Sequence, residues 1–310
     1  MDDFPKTLPA FERRFHDEAA CLDYLVALRW PDGVRCTHCQ GDKLWRAGAL
    51  YVCAQCRGQT RIMAGTIFQD THLPLPTWFR AIWWVVTQKN GASALGLKRN
   101  LGLSYKTTWA MLHKVRRAMI RTGRSRLSGR IEVDETYIGG LEEGVRGRQT
   151  NDKTVVLIAA QEDGKRIGRI RLRRVDDVSG DNLLSFIEDN IEPGSLVHTD
   201  GWSGYSGVEA KGYQHKVSIL KETGPDALPR VHLIASLLKR WMLGTHQGAI
   251  SKVHLEHYLD EFVFRFNRRT SGSRGKLFSR LMEQAVQTPP VPFARLTKHS
   301  RPYTPQARTK

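Results

Sequence analysis

The stretch at residues 131–140, Ile-Glu-Val-Asp-Glu-Thr-Tyr-Ile-Gly-Gly, opens the part of the chain that decides the fold class. Its first residues predict a strand, and residues 154–161 and 166–173 predict two more, joined by an Asp-Gly turn. A helix over 181–190 follows, then short strands over 196–199 and 213–219, with a helix between them. The order β-β-β-α-β-α-β is typical of a ribonuclease-H-like mixed sheet, so we predict an α/β core.

Charge gives the first indication of a partner. The 310 residues contain 48 Lys and Arg against 31 Asp and Glu, which gives a net charge of +17 and a pI near 9.9. No acidic residue lies between Asp70 and Glu132. The hydrophobic fraction of 40% excludes disorder throughout, and there is no long apolar run and no signal-peptide pattern. We expect a soluble, cytoplasmic protein that binds nucleic acid and no membrane.

Four of the five cysteines form two Cys-x-x-Cys pairs, Cys36 with Cys39 and Cys53 with Cys56. A two-residue gap lets both thiolates of a pair reach one ion, and two pairs complete a closed tetrahedral Zn²⁺ shell. The alternatives are two redox dithiols or a chance spacing, which a cytosolic chain seldom repeats. We predict a structural zinc ribbon within an N-terminal domain of residues 1–70.

Three helices are predicted in the acid-free stretch, over 73–90, 93–100 and 104–121. A helix, a glycine-containing turn and a basic amphipathic helix form the layout of a helix-turn-helix, although a plain three-helix bundle gives the same pattern. We therefore predict a DNA-binding region over 71–122 and a basic linker over 123–130. The predicted DNA contacts lie on the third helix and are Lys106, His113, Lys114, Arg117 and Arg121.

Two aspartates form a candidate catalytic site in the predicted sheet. Asp134 lies within the first strand, and Asp200 directly follows the fourth, which would be its neighbour. Two carboxylates at one strand edge repel each other unless a cation lies between them, and a pair of Mg²⁺ or Mn²⁺ ions about 4 Å apart drives in-line phosphoryl displacement. Each aspartate alone fits a turn or a solvated strand end as well as it fits a metal ligand; together they predict two divalent ions.

Beyond the cysteines, several stretches resemble one family of enzymes. They are residues 132–140, 198–205 (His-Thr-Asp-Gly-Trp-Ser-Gly-Tyr), 237–246, and 258–269, which ends in Arg-Phe-Asn-Arg-Arg. The chain resembles bacterial insertion-sequence transposases of the DDE class with an N-terminal zinc ribbon. The resemblance implies a transposase core over 131–286, with Asp134 and Asp200 as metal ligands. It also implies double-stranded DNA as partner, with recognition of terminal inverted repeats followed by strand cleavage and strand transfer.

The third metal ligand departs from that family's pattern. The family places an acid, or in some branches an asparagine, seven residues before a lysine on the helix after the last core strand. Counting back from Lys239 gives His232. Three interpretations stay open: His232 is a variant ligand or proton shuttle, the acid is Asp226 or Glu222, or this copy is inactive. Lys239 would steady a phosphate or be a solvated helix residue.

Several further expectations follow from the sequence. Because joining two DNA ends needs at least two protomers, we expect a homodimer or a larger assembly on DNA. The arginines at 265, 268 and 269, with Asn267, would hold a DNA backbone or complement a helix dipole. Residues 287–310 are predicted to be a basic, proline-rich flexible tail. Alternative functions are an inactive or domesticated DNA-binding protein and a nuclease of the same fold that does not join strands.

Overall fold

The computed structural model describes residues 4–121, 123–140, 153–219, 227–248 and 250–297, and the chain divides into two compact units. The first unit extends to Arg121 and also includes the segment from Ser271, and the second lies between them. The helices are α1 Leu8–Arg14, α2 Glu18–Arg29, α3 Leu75–Thr87, α4 Ala94–Leu101, α5 Tyr105–Arg117, α6 Gly180–Asn190, α7 Pro229–His246, α8 Leu255–Phe266, α9 Arg274–Ala285 and α10 Phe293–Thr297. The strands are β1 Leu44–Ala47, β2 Leu50–Cys53, β3 Gln59–Arg61, β4 Arg130–Ile138, β5 Thr154–Asp163, β6 Arg166–Val175, β7 Leu196–Thr199 and β8 Gln214–Val217. No helix in these described ranges combines the length and the apolar character that a bilayer crossing requires.

In the first unit, aromatic side chains from its N-terminal segment pack against α9, which belongs to the segment that begins at Ser271. The Phe278 ring on α9 lies 5.2 Å from the ring of Phe11 on α1 and 5.7 Å from that of Phe79 on α3. These side chains are fully buried, and such contacts among large aromatic rings contribute strongly to a core. The second unit therefore ends near residue 270, whereas the sequence-based boundary of the core was 286.

The segment predicted as a flexible tail is in part folded. Val291 and Leu296 are buried, and α10 contacts α5. Apolar side chains between the prolines anchor the segment there, so the predicted tail is wrong for residues 291–297. Residues 298–310 lie outside the described part of the chain.

The three predicted helices of the acid-free stretch are present as α3, α4 and α5. Gly102 ends α4 in the left-handed conformation, with φ +67°, which glycine adopts without steric cost. Ser104 then begins α5, because its hydroxyl accepts a hydrogen bond from the Thr107 backbone N–H at 3.1 Å. A glycine C-cap followed after one residue by a serine N-cap explains the tight turn between the two helices.

The second unit is built on a five-stranded sheet in the order β6-β5-β4-β7-β8. Strands β4, β5 and β6 form the predicted antiparallel meander, and β7 and β8 run parallel to β4. This mixed order is that of the predicted ribonuclease-H-like fold. Between β7 and β8 the chain forms two 3-10 turns, at Ser203–Tyr205 and Glu209–Lys211, instead of the predicted α-helix.

Helices cover both faces of this sheet. One face packs against α6 through Val133, Leu157 and Phe186, all fully buried. On the other face, Val156 and Ile158 of β5 pack with α7 and α8. Strands buried on both faces read as continuous apolar runs, which explains the sequence of β5.

The predicted basic linker is a folded part of the second unit. Leu127 is fully buried in the core beneath α6, and its backbone exchanges hydrogen bonds with Asn190 and Glu192, both at 2.7 Å. Arg171 of β6 donates to the Ser125 carbonyl at 2.7 Å. The prediction of a linker over 123–130 was wrong. Its basic and small residues are typical of a linker, but Leu127 among them is buried in the core.

The basic cluster at the end of α8 protects the sheet edge. The Asn267 amide binds both backbone groups of Ile170 on β6, accepting from its N–H at 2.7 Å and donating to its carbonyl at 3.1 Å. The guanidinium of Arg269 donates to the Gly168 carbonyl, and that of Arg265 to Glu261. Because β6 is an edge strand, the contacts of Asn267 and Arg269 occupy backbone groups that would otherwise pair with another chain, whereas the Arg265 contact lies within α8.

Candidate active site and zinc site

The two predicted catalytic aspartates belong to neighbouring parallel strands. Strands β4 and β7 are parallel, with Ile131 opposite Val197 and Glu132 opposite His198. Asp134 lies two residues beyond Glu132 on β4, and Asp200 directly follows β7, two residues beyond His198, so both aspartates lie past the last paired positions of these neighbouring strands. Asp134 is opposite Ile158 of β5, whose side chain packs on the face covered by α7.

The local backbone orients both carboxylates. Asp134 Oδ1 accepts a hydrogen bond from the Glu135 N–H at 2.8 Å, and Asp200 Oδ1 accepts one from the Trp202 N–H at 3.1 Å. The Trp202 indole in turn donates to the Val178 carbonyl at 3.2 Å. Asp200 therefore lies at the start of a turn that the half-buried Trp202 ring connects to the rest of the unit.

Helix α7 brings His232 to this point. His232 Nε2 lies 3.4 Å from Asp134 Oδ2, with 44% of the His232 side chain and 18% of the Asp134 side chain exposed. Both residues line a cleft of about 310 Å³ together with Ser236 and Lys239, which follow His232 at steps of four and three on one face of the helix. The opposite face, with Val231, is buried against the sheet.

The predicted metal ligands are of types that suit hard divalent ions, but only Asp134 and His232 line the cleft, and Asp200 does not. Carboxylate oxygens suit Mg²⁺ and Mn²⁺, and imidazole suits the transition metal better than Mg²⁺. Among the described residues, only the four cysteines place three or more candidate ligand atoms all within 4.8 Å of one another. The ligand atoms of Asp134, Asp200 and His232 do not meet this condition. The alternative third ligands, Glu222 and Asp226, fall outside the described residues.

The four cysteines form a compact zinc-type site. Their sulfurs all lie within 4.8 Å of one another, with 3.5 Å between Cys36 and Cys56 and 3.6 Å between Cys39 and Cys53. A tetrahedral ion with Zn–S bonds of ~2.3 Å needs about 3.8 Å between sulfurs. Backbone N–H groups of Cys39 and His38 lower the pKa of Cys36 to about 6, which favours the thiolate that binds metal.

The two cysteine knuckles repeat one backbone conformation. Gln40 and Arg57, each directly after a second cysteine, have φ of +60° and +59°. The next residues are Gly41 and Gly58, whose carbonyls accept hydrogen bonds from Cys36 and Cys53 at 2.9 and 3.0 Å. The sequence carries this signal as Cys-x-x-Cys-x-Gly, present twice.

Helix α5 exposes fewer of the predicted DNA-contact residues than its sequence indicates. His113 is fully buried and lies 4.1 Å from the Trp109 ring, so the prediction that it contacts DNA was wrong. Burial lowers the pKa of Lys114, and Arg117 is half-buried. Lys106 and Arg121 are exposed. The helix packs into the unit through more of its circumference than its polar sequence indicates.

Comparison with known proteins identifies the family. The ISXO2-like transposase domain matches residues 126–267, and the transposase zinc-ribbon domain matches residues 16–59. Together these matches cover more than half of the chain. The chain belongs to the insertion-sequence transposases with an ISXO2-like transposase domain. Both domains predicted for the transposase are thereby confirmed, and nothing supports the DNA-binding-only or nuclease-only alternatives.

One relative and two solved structures are similar to the transposase. An uncharacterized protein in transposable element ISH50 of Halobacterium salinarum is 25% identical over 278 residues, 82% of this chain and 92% of the relative. The catalytic core domain of BIV integrase is 14% identical, covers 49% of this chain and 93% of its own, and has a TM-score of 0.34. The Mos1 strand transfer complex is 13% identical, with coverage of 67% and 75% and a TM-score of 0.29.

Proposed function

We propose that this transposase binds the ends of its own element and catalyses metal-dependent cleavage and joining of DNA strands in the cleft between β4 and α7. The observation that carries the proposal is the approach of His232 Nε2 on α7 to Asp134 Oδ2 on β4 at 3.4 Å, with Asp200 directly after the neighbouring parallel strand β7. The matches to a transposase domain and a transposase zinc ribbon support the reaction class.

The predicted site residues would differ in role according to their chemistry. Asp134 and Asp200 would hold two divalent ions, which supply an activated attacking oxygen and stabilisation of the leaving oxygen. His232 beside Asp134 would complete the ligand set or accept a proton from the attacking group. Lys239 lines the same cleft, where its ammonium would orient a non-bridging phosphate oxygen. Zinc would stay in the ribbon as a structural ion.

DNA recognition is assigned to the first unit. In a helix-turn-helix, the first helix of the pair crosses the DNA backbone and the N-terminal residues of the second read base edges. Here Lys98 and Arg99 on α4 are exposed, as are Tyr105 and Lys106 at the start of α5. We therefore place the contact surface at α4 and the first turn of α5, and not at the C-terminal half of α5 where His113 is buried.

A salt titration tests this surface. We expect the double substitution Lys98→Gln, Arg99→Gln to weaken binding to element-end DNA and to lower the slope of log affinity against log salt by about 2, because each phosphate contact contributes ~0.9. The charge-matched control is Lys6→Gln, Arg13→Gln at exposed positions in and beside α1. Equal slopes for the two variants would place the DNA contact elsewhere.

The role of His232 is tested by its metal dependence. We expect His232→Ala to reduce strand transfer by about 10²-fold, the loss typical of a weakened metal site. His232→Glu should retain activity and lower the ratio of Mn²⁺-supported to Mg²⁺-supported rate, because a carboxylate suits Mg²⁺ better than imidazole does. Leu233→Ala, an exposed neighbour on α7, is the control. Unchanged activity in His232→Ala would remove His232 from the site.

A further inference from the structure

Helix α7 begins without a capping side chain of its own. Its N-cap residue is Leu228, whose side chain cannot accept a hydrogen bond from the first turn, and Pro229 follows at the first helical position. The first N–H groups of any helix lack partners within the helix and need them from elsewhere. In this case the partner comes from the central strand of the sheet.

Glu132 on β4 supplies these acceptors. Its Oε2 accepts from the backbone N–H groups of Arg230 at 2.7 Å and Val231 at 3.0 Å, and its Oε1 accepts from the Arg230 guanidinium at 2.8 Å. Glu132 is 5% exposed. A buried carboxylate is costly unless it is paired, and here a cation, two N–H groups and the positive end of the helix dipole all compensate it.

The position of Glu132 couples this cap to the cleft. It precedes Asp134 by two residues, so both side chains lie on the same face of β4, roughly 6.7 Å apart along the strand. The N–H groups that it holds belong to the two residues immediately before His232. The Glu132 carboxylate, on the same strand as Asp134, therefore fixes the position and orientation of the first turn of α7, which carries His232.

The Arg230 side chain makes further contacts at the start of α7. The Arg230 guanidinium also lies 3.1 Å from Glu162 Oε1 on β5 and donates to the Gly164 carbonyl at 3.1 Å. Arg230 thus joins the start of α7 to two strands at once, whereas the backbone N–H contacts are made by Glu132. This difference provides a matched control, because Glu162 contacts Arg230 only through the side chain, whereas Glu132 also accepts hydrogen bonds from the backbone N–H groups of α7.

We propose that Glu132 is a positioning residue for the strand-transfer site: by capping α7 it sets His232 against Asp134. The inference rests on the proposed function, in which His232 and Asp134 act together. Glu132 has its oxygens committed to α7 and Arg230, so it is a structural partner of the metal site and not one of its ligands.

The first test needs neither metal nor DNA. Amide hydrogen exchange in the full-length, metal-free chain should show that Glu132→Gln accelerates exchange at Arg230 and Val231 by about tenfold or more, because the amide side chain retains a single, uncharged acceptor oxygen. Glu162→Gln should leave both rates unchanged. If Glu132→Gln reduces the overall yield of folded protein, Glu132→Asp replaces it. Unaltered exchange at both amides would overturn the cap.

The second test asks whether Glu132 acts through His232. Glu132→Gln alone should lower kcat for strand transfer by 10- to 100-fold with little change in KM for DNA. In a His232→Ala background the same change should cost less than about threefold, because the residue it positions is gone. Losses that multiply in the double variant would show a general structural role and overturn the proposal. If wild-type protein fails to join strands, the proposed function fails, while the exchange test still decides the cap.

Discussion

Asp134→Asn and Asp200→Asn, each made alone, are expected to reduce strand transfer by at least about 10³-fold, because two-metal catalysis contributes several kcal/mol of transition-state stabilisation and each aspartate is required for it. Binding to element-end DNA should be unchanged, since DNA recognition is assigned to the first unit. The measurement is joining of a pre-cut element end to target DNA with Mg²⁺ and with Mn²⁺, alongside an affinity measurement on the same DNA.

The control for this experiment is Glu209→Gln, which removes an exposed carboxylate of the same unit away from the cleft. It should leave the joining rate within about twofold, as surface substitutions usually do. If either aspartate variant keeps more than a tenth of the wild-type rate, the assignment of that aspartate as a metal ligand is incorrect. An equal loss in the control would point to a general effect of charge.

Loss of zinc is expected to have the second large effect. Structural zinc contributes roughly 10–16 kcal/mol of binding free energy in small zinc domains, and a three-stranded ribbon has few apolar residues to replace it. We expect one equivalent of zinc in the purified chain, and near-complete loss of it in Cys36→Ser or after treatment with a strong chelator. Binding to element ends should then weaken by at least about tenfold.

Cys21→Ser is the matched control because Cys21 is buried in α2, outside the four-cysteine site. Burial raises the pKa of its thiol to about 12, which keeps it protonated and unsuited to metal. This variant should retain one equivalent of zinc and nearly full DNA affinity. Zinc loss in Cys21→Ser, or its retention in Cys36→Ser, would contradict the assignment of the site.

The features that sequence reasoning could predict are those set by spacing. The two Cys-x-x-Cys pairs carry their geometry within four residues each, so the ribbon follows directly. The strand order predicts Asp134 and Asp200 on neighbouring parallel strands, and the structure has β4 beside β7 in that orientation, whereas the sharing of metal ions by the two carboxylates stays a prediction. His232 was reached by counting from Lys239, and both residues line the same cleft.

Features that depend on tertiary partners were missed. Glu132 precedes Asp134 in a run of acidic residues, and nothing local shows that its partners are at 230 and 231, almost one hundred positions away. Leu127 lies among basic and small residues typical of a linker, and its burial depends on α6. His113 occupies a polar face of α5 that the fold happens to cover.

The most direct test of the account is a structure of the full chain bound to element-end DNA in Mn²⁺, with the manganese positions located by anomalous scattering. We predict an ion within about 2.3 Å of carboxylate oxygens from both Asp134 and Asp200, with His232 beside Asp134. Manganese bound elsewhere, or the two aspartates on opposite sides of the sheet with no shared ion, would contradict it.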